Sequence, residues 1–222
     1  MRRLFRPILA GATFSDRLVA CLGAAVGVGL VALAFSGALP LPAGTAAVVA
    51  PIGASAVLVF AVPASPLAQP WPVLGGNMVG AIVGMAFAQA LGTGPLAAGL
   101  AVGAAILAMS LLRCLHPPGG AAALVAVIGG PATREAGWLF PFAPVAANSA
   151  LLVAAAWAFH RFSGHGYPHR AAPPPRQPAF LPEDLDRALE AEQETFDIAR
   201  EDLERLLARV EAEAAARASG KR

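Results

Sequence analysis

Two side chains in this sequence are equipped for chemistry and stand where side chains of their kind are costly. They are Arg113 and His116, in the run Leu-Leu-Arg-Cys-Leu-His-Pro-Pro-Gly-Gly that ends at Gly120. An imidazole titrates near neutral pH and can pass a proton. A guanidinium holds an oxyanion through two parallel N–H bonds. Before them, the 95 residues from Leu18 to Leu112 contain no Asp, Glu, Lys, Arg or His. A water-soluble domain needs charge on its surface, so this stretch reads as membrane-spanning helices. A cation and an imidazole at the edge of such a bundle point to function. The structural alternatives are a guanidinium reaching the lipid headgroups for Arg113 and a helix-capping or core histidine for His116.

The residues around them suggest what that chemistry acts on. Proline disfavours helix in the residue before it and suits the first turn of a helix. Pro51 and the pair Pro117 and Pro118 therefore predict helices that start inside the apolar region. Gly53, Gly119 and Gly120 remove side chains at those starts. The expectation is exposed backbone N–H groups at the positive end of a helix dipole, which is a seat for a small anion. Ser55 adds a hydroxyl to it. Asn77 and Asn148 add amides, with hydrogen bonding between helices as their structural alternative.

Other chemistries are poorly represented. The apolar body has no paired carboxylates and no nucleophile beside a base, so an enzyme is not expected. No zinc spacing occurs and no cofactor is expected. His160, His165 and His169 resemble a metal cluster only loosely and are read as interfacial histidines. Cys21 and Cys114 are read as small buried residues. Leu18-Val-Ala-Cys21 imitates a lipoprotein cleavage box, but Asp16 and Arg17 stand where an apolar signal core belongs, so the N-terminus is expected to be retained. Expected partners are a small anion, membrane lipid and a second copy of the chain, with no role for nucleic acid.

The elements that position these residues follow from hydropathy and punctuation. The chain is 57% hydrophobic with a mean hydropathy of +0.62. Twelve of its fourteen acidic residues lie beyond Pro182, so the charge belongs to the tail. A spanning helix needs about 20 apolar residues. The spans read as Leu18–Leu39, Leu41–Val62 interrupted at Pro51, Val73–Leu91, Leu96–Leu112 and Leu139–Phe159, with a short apolar piece, Ala121–Ile128, after the His-Pro-Pro motif. Full-length helices alone give five crossings. Arg2, Arg3, Arg6 and Arg17 at one flank and Arg161, Arg170 and Arg176 at the other favour a cytoplasmic location for both ends, hence six. A re-entrant loop in place of the short piece keeps five.

An internal repeat also favours six. Pro51-Ile-Gly-Ala-Ser-Ala-Val-Leu-Val59 aligns with Pro117-Pro-Gly-Gly-Ala-Ala-Ala-Leu-Val125. Pro72-Val-Leu-Gly-Gly-Asn77 returns loosely as Pro144-Val-Ala-Ala-Asn148. Two units of three spans would be inverted relative to each other, and the competing reading is coincidence in an Ala/Gly-rich chain. Glycines four apart, Gly76, Gly80 and Gly84 and again Gly99 and Gly103, predict close helix contacts. The fold class is thus an all-α polytopic transmembrane bundle with broken helices at Pro51 and Pro117. Residues 1–17 form a cytoplasmic segment, 18–162 the membrane domain, 163–182 a Pro-rich linker and 183–222 a charged amphipathic helix. In that helix Leu189, Phe196, Leu203 and Val210 repeat every seven residues, the pattern of a coiled coil, while Glu192 and Glu213 interrupt the seam.

Leu115-His-Pro-Pro-Gly-Gly-Ala121 resembles the signature of the HPP family of integral membrane proteins. Ala50-Pro-Ile-Gly-Ala-Ser-Ala56, Ser65-Pro-Leu-Ala-Gln-Pro70 and Gly75-Gly-Asn77 are similar to that family's first half, and the resemblance covers about Asp16 to Phe162. It implies four transmembrane segments, fewer than counted above. It also implies transport of a small anion, because plant members are implicated in nitrite transport. Some bacterial members carry regulatory CBS domains after the membrane part, where this chain has its charged helix. Two other functions stay open: a scaffold or sensor working through the C-terminal helix, and, less favoured, a membrane enzyme.

Overall fold

The computed structural model describes residues 13–36, 48–172, 180–192 and 194–218. Arg2, Arg3, Arg6, Leu41, the prolines 173–175 and Pro178 lie outside the described residues. All regular structure among those described is helical. The membrane body contains α1 (Phe14–Phe35), α2 (Pro51–Ala61), α3 (Asn77–Leu91), α4 (Pro95–Leu111), α5 (Pro117–Ile128), the short α6 (Pro131–Ala136) and α7 (Ala147–His160). Two charged helices follow, α8 (Pro182–Glu192) and α9 (Arg200–Ala218).

The local causes are plain. Thr13 opens α1 with a capping box: its hydroxyl accepts from the Asp16 N–H, and the Asp16 carboxylate accepts from the Thr13 N–H. Proline opens α2, α4, α5 and α6, where its missing N–H costs nothing. A π-helical turn leads into both α3 (Pro72–Gly76) and α7 (Pro141–Ala146). In the second, Pro144 has no N–H to donate, and the Val145 N–H reaches back five residues to the Phe140 carbonyl.

With those turns included, three helices are long and apolar enough to cross a membrane: Phe14–Phe35, Pro72–Leu91 and Pro141–His160. Three apolar helices are shorter: Pro51–Ala61, Pro95–Leu111 and Pro117–Ile128. At 1.5 Å per residue α2 and α5 reach only about 16–18 Å. Leucines along α1 and α4, among them Leu18, Leu33, Leu96 and Leu111, stand exposed, as lipid-facing side chains do.

Direction follows from contacts at one end of the bundle. The Arg17 guanidinium donates to the Ala61 carbonyl at 3.1 Å, His160 meets the Val59 carbonyl at 2.8 Å, and the Trp71 indole donates to the Leu112 carbonyl at 3.2 Å. The start of α1 and the ends of α2, α4 and α7 therefore share one end. The six apolar helices alternate in direction, and the chain leaves the bundle where it started. The re-entrant alternative with five crossings does not fit this arrangement.

The duplication appears as packing. Helix α1 packs on α2 and α7, as α4 packs on α5 and α3. Helix α2 meets α7 as α5 meets α3, and α2 and α5 touch each other. Exchanging the two triplets maps this contact pattern onto itself, and each unit gives its third helix to the other.

Small residues permit the closest approach. A Cβ on Gly80 would run into the Gly119 carbonyl, and one on Gly84 into the Ala123 carbonyl. Gly99 and Gly103 meet nothing among the described residues, so their spacing, alike in sequence, packs no described helix. Cys114 is buried as expected, but Cys21 is exposed on the outer face of α1, because Gly23 and Gly27 are the residues of that helix that face Phe60.

The charged tail is two helices rather than one. The break at residues 194–199 takes Phe196 out of any helix, so the seven-residue seam is not continuous. Arg200 links the pair, donating to Asp186, to Glu204 at 2.9 Å and to the Pro182 carbonyl at 3.1 Å. These contacts hold the Arg200 guanidinium above its ordinary pKa, mainly through Asp186.

Candidate functional site

Ser55, Asn77, His116, Asn148 and Ser149 are each 0% exposed. Ser55 comes from the second turn of α2, Asn77 from the first residue of α3, and His116 caps α5. Asn148 and Ser149 open α7. Buried polar groups in an apolar bundle must satisfy one another, and most of these do.

His116 Nδ1 lies 2.8 Å from the Leu67 carbonyl, and its Nε2 lies 2.8 Å from Ser55 Oγ. Asn77 Nδ2 donates to Ser55 Oγ at 3.0 Å and to Ser149 Oγ at 3.1 Å. The Ser149 hydroxyl donates to the Val145 carbonyl at 2.8 Å. A carbonyl only accepts, so His116 Nδ1 carries a proton. Ser55 Oγ receives the Asn77 N–H and shares a hydrogen bond with Nε2, in which a neutral ring accepts from the Ser55 hydroxyl. Asn148 stands beside it, its Oδ1 accepting from the Val49 N–H at 3.1 Å. Asn77 Oδ1 and Asn148 Nδ2 have no partner.

The structure brings together Ser55, Asn77 and His116, with Asn148 adjacent. Pro51, Pro118 and Gly119 are buried around them. A Cβ on Gly119 would strike the Gly76 carbonyl, so that glycine serves the contact of α5 with α3. Gly53 is exposed with open space beside it, Pro117 is exposed, and Gly120 is half-buried with Val102 as its nearest side chain. Nor are the first-turn N–H groups bare. Ile52 and Gly53 donate to Val49 and Ala50, and Gly119 donates to His116.

Arg113 lies outside the network. It is exposed, with φ +55°. The Arg113 N–H bonds the Ser110 carbonyl and the Cys114 N–H bonds the Met109 carbonyl, which is the double bond of a Schellman motif closing α4. Arg113 occupies the left-handed position that glycine usually fills there. Sequence reasoning missed Ser149, the Leu67 carbonyl and the Val49 N–H. Ser149 follows Asn148 directly, a polar pair at the head of an apolar span. The two backbone groups carry no side-chain signal.

The segment 62–71 joins this network to the tail. Leu67 holds His116 from it, the Ser65 hydroxyl donates to Asp197 at 2.8 Å, and Tyr167 donates to the Ala68 carbonyl at 2.9 Å. Burial pushes the Tyr167 phenol above its ordinary pKa. His169 donates its N–H to Gln69 Oε1 and pairs with Asp202 at 2.8 Å. Among the described residues no His, Cys, Asp or Glu cluster has the makings of a metal site.

Comparison with known proteins supports a membrane protein. Two curated transmembrane proteins of Dictyostelium discoideum are similar to the chain, at 38% and 40% identity over 114 residues. The matches cover 50% of this chain and 40% and 36% of those relatives, so the chain spans well under half the length of either. No solved structure is significantly similar. The family described as HPP, transmembrane region, matches residues 10–168. That match covers most of the chain and includes every helix that builds the polar network: the chain belongs to the HPP transmembrane family.

Proposed function

We propose that this protein passes a small anion across the cytoplasmic membrane through the Ser55–Asn77–His116–Ser149 network. One observation carries the reading: four wholly buried, uncharged polar side chains from α2, α3, α5 and α7 converge where the two triplets interlock. An ionisable side chain in such a place, here His116, is costly and marks a solute pathway by default, and transporters built from paired triplets place their sites there. Arg113, at the bundle end shared with Arg17 and Arg161, collects anions and does not bind them within the bundle. That end faces the cytoplasm in this reading.

Nitrite, which the family resemblance puts forward, is the first probe. His116→Ala should abolish protein-dependent nitrite uptake into proteoliposomes, while Arg113→Ala should reduce it only severalfold, as loss of electrostatic collection does. Melting in detergent verifies that each variant is folded. A folded His116→Ala that transports at the normal rate would reject the assignment.

A second reading, a sensor working through the tail, draws on the Ser65–Asp197 and His169–Asp202 contacts. The first ties the break before α9 to the segment that holds His116, and the second ties α9 to His169, whose N–H bonds Gln69 of that segment.

A further inference from the structure

The two asparagines of the network have unused hydrogen-bonding capacity of opposite sense. Asn77 Oδ1 and Asn148 Nδ2 are buried without a partner. Their amides are not free to turn over. Asn148 Oδ1 accepts from the Val49 N–H, which only donates. Asn77 Nδ2 faces Ser149 Oγ, whose own proton is committed to Val145. One site is an acceptor lacking a donor, and the other is a donor lacking an acceptor.

Both sit where the Pro72–Leu91 and Pro141–His160 helices cross. Helix α3 packs on the Pro141–Ala146 turn, α7 packs on the Pro72–Gly76 turn, and Asn77 reaches Ser149, the neighbour of Asn148. Unfilled buried capacity is unfavourable. A ligand with one donor and one acceptor would fill both.

A bare oxyanion has acceptors only. It suits Asn148 Nδ2 and is repelled by Asn77 Oδ1. Among the described residues of the membrane body no Lys, Arg, Asp or Glu is hydrogen-bonded or ion-paired to the network, and both ring nitrogens of His116, its titratable group, are already bonded. Building on the reading of this network as the transport site, we propose that the species held here is the undissociated form of a small oxyacid, HA. Its O–H donates to Asn77 Oδ1, and its second oxygen accepts from Asn148 Nδ2. Each passage moves one proton with one anion. On release HA dissociates to H+ and A−, so transfer is electrically neutral. A neutral ligand also escapes the cost of stripping water from an ion in an apolar interior.

The test uses the full chain in proteoliposomes that enclose a pH dye, with nitrite as the probe. Protein-free liposomes supply the background of nitrous acid that crosses lipid unaided. Protein-dependent uptake should acidify the lumen, one proton per nitrite, and should not respond to a valinomycin–potassium potential. Formamide, which has a donor and an acceptor but no acidic proton, should compete, and chloride should not. Asn148→Ala removes the amide donor together with the acceptor for Val49. It should lower uptake about tenfold, the change expected for one lost buried hydrogen bond, in protein that melting shows to be folded, and Asn148→Gln, which carries the same amide, should recover part of the loss.

Uptake that follows the imposed potential without acidification overturns this proposal and leaves the transport reading standing. So does competition by chloride instead of formamide, or undiminished uptake by a folded Asn148→Ala. Complete absence of protein-dependent nitrite uptake overturns both.

Discussion

His116 is tied to two elements at once, to the 62–71 segment through Leu67 and to α2 through Ser55. Three residues away, Arg113 has a quite different task. It closes α4 in a left-handed conformation that costs a side-chain-bearing residue about 1–2 kcal/mol. Arg113→Gly should therefore raise stability by about 1 kcal/mol, read as a higher melting temperature in detergent, and should leave transport near the level of Arg113→Ala. Loss of stability would mean that the guanidinium itself holds the fold. In the sequence these two residues look like one functional unit, because both interrupt an uncharged stretch. Only the backbone conformation at residue 113 separates them, and no composition or spacing encodes it. His116, Ser55 and Asn77 were legible as polar residues with nowhere polar to go.

At the scale of helices, glycines of identical spacing have opposite roles. Gly80 and Gly84 bring α3 against the α5 backbone, whereas Gly99 and Gly103 face open space. Gly80→Ala should destabilise by about 1–3 kcal/mol, the usual cost of overpacking. Gly103→Ala should be neutral or stabilise by up to about 1 kcal/mol through helix propensity. Thermal melting of the pair decides it, and equal effects would contradict the α3–α5 contact. The short helices α2 and α5 were legible from Pro51 and Pro117. The division of the tail into α8 and α9 was not, because Leu189, Phe196, Leu203 and Val210 keep their period straight through the break. What decides the matter is tertiary: Asp197 turns away to accept from Ser65, and Arg200 ties α9 back to Asp186. Truncation before Glu183 should leave nitrite uptake within about twofold, since the tail meets the membrane body at Ser65 and His169 and supplies no side chain to the network. A large change in rate would instead favour the sensing role of the tail.

For the whole molecule the consequential fact is that the triplets run in opposite senses and exchange their third helices. Both ends of the membrane body lie on one side, with Arg17, Arg113 and Arg161 there and Arg134 and Glu135 on the other. Arg161 stacks over the Trp157 ring at 4.1 Å, as interfacial residues do. Reporter fusions after residue 162 should be cytoplasmic and labels near residue 134 external. Both on the same side would contradict six traverses.

The uncharged run from Leu18 to Leu112 and the prolines at 51 and 117 determined by themselves that this is a helical membrane protein with helices that start at those prolines. That information is local, because hydropathy and proline chemistry act within a turn or a span. The tertiary structure decided which polar residues meet, that Arg113 and Gly53 stand apart from them, and that two asparagines are left one partner short. Those outcomes depend on helix rotation and on contacts between residues far apart in the chain, 99 positions from Val49 to Asn148, and a linear pattern holds no record of either.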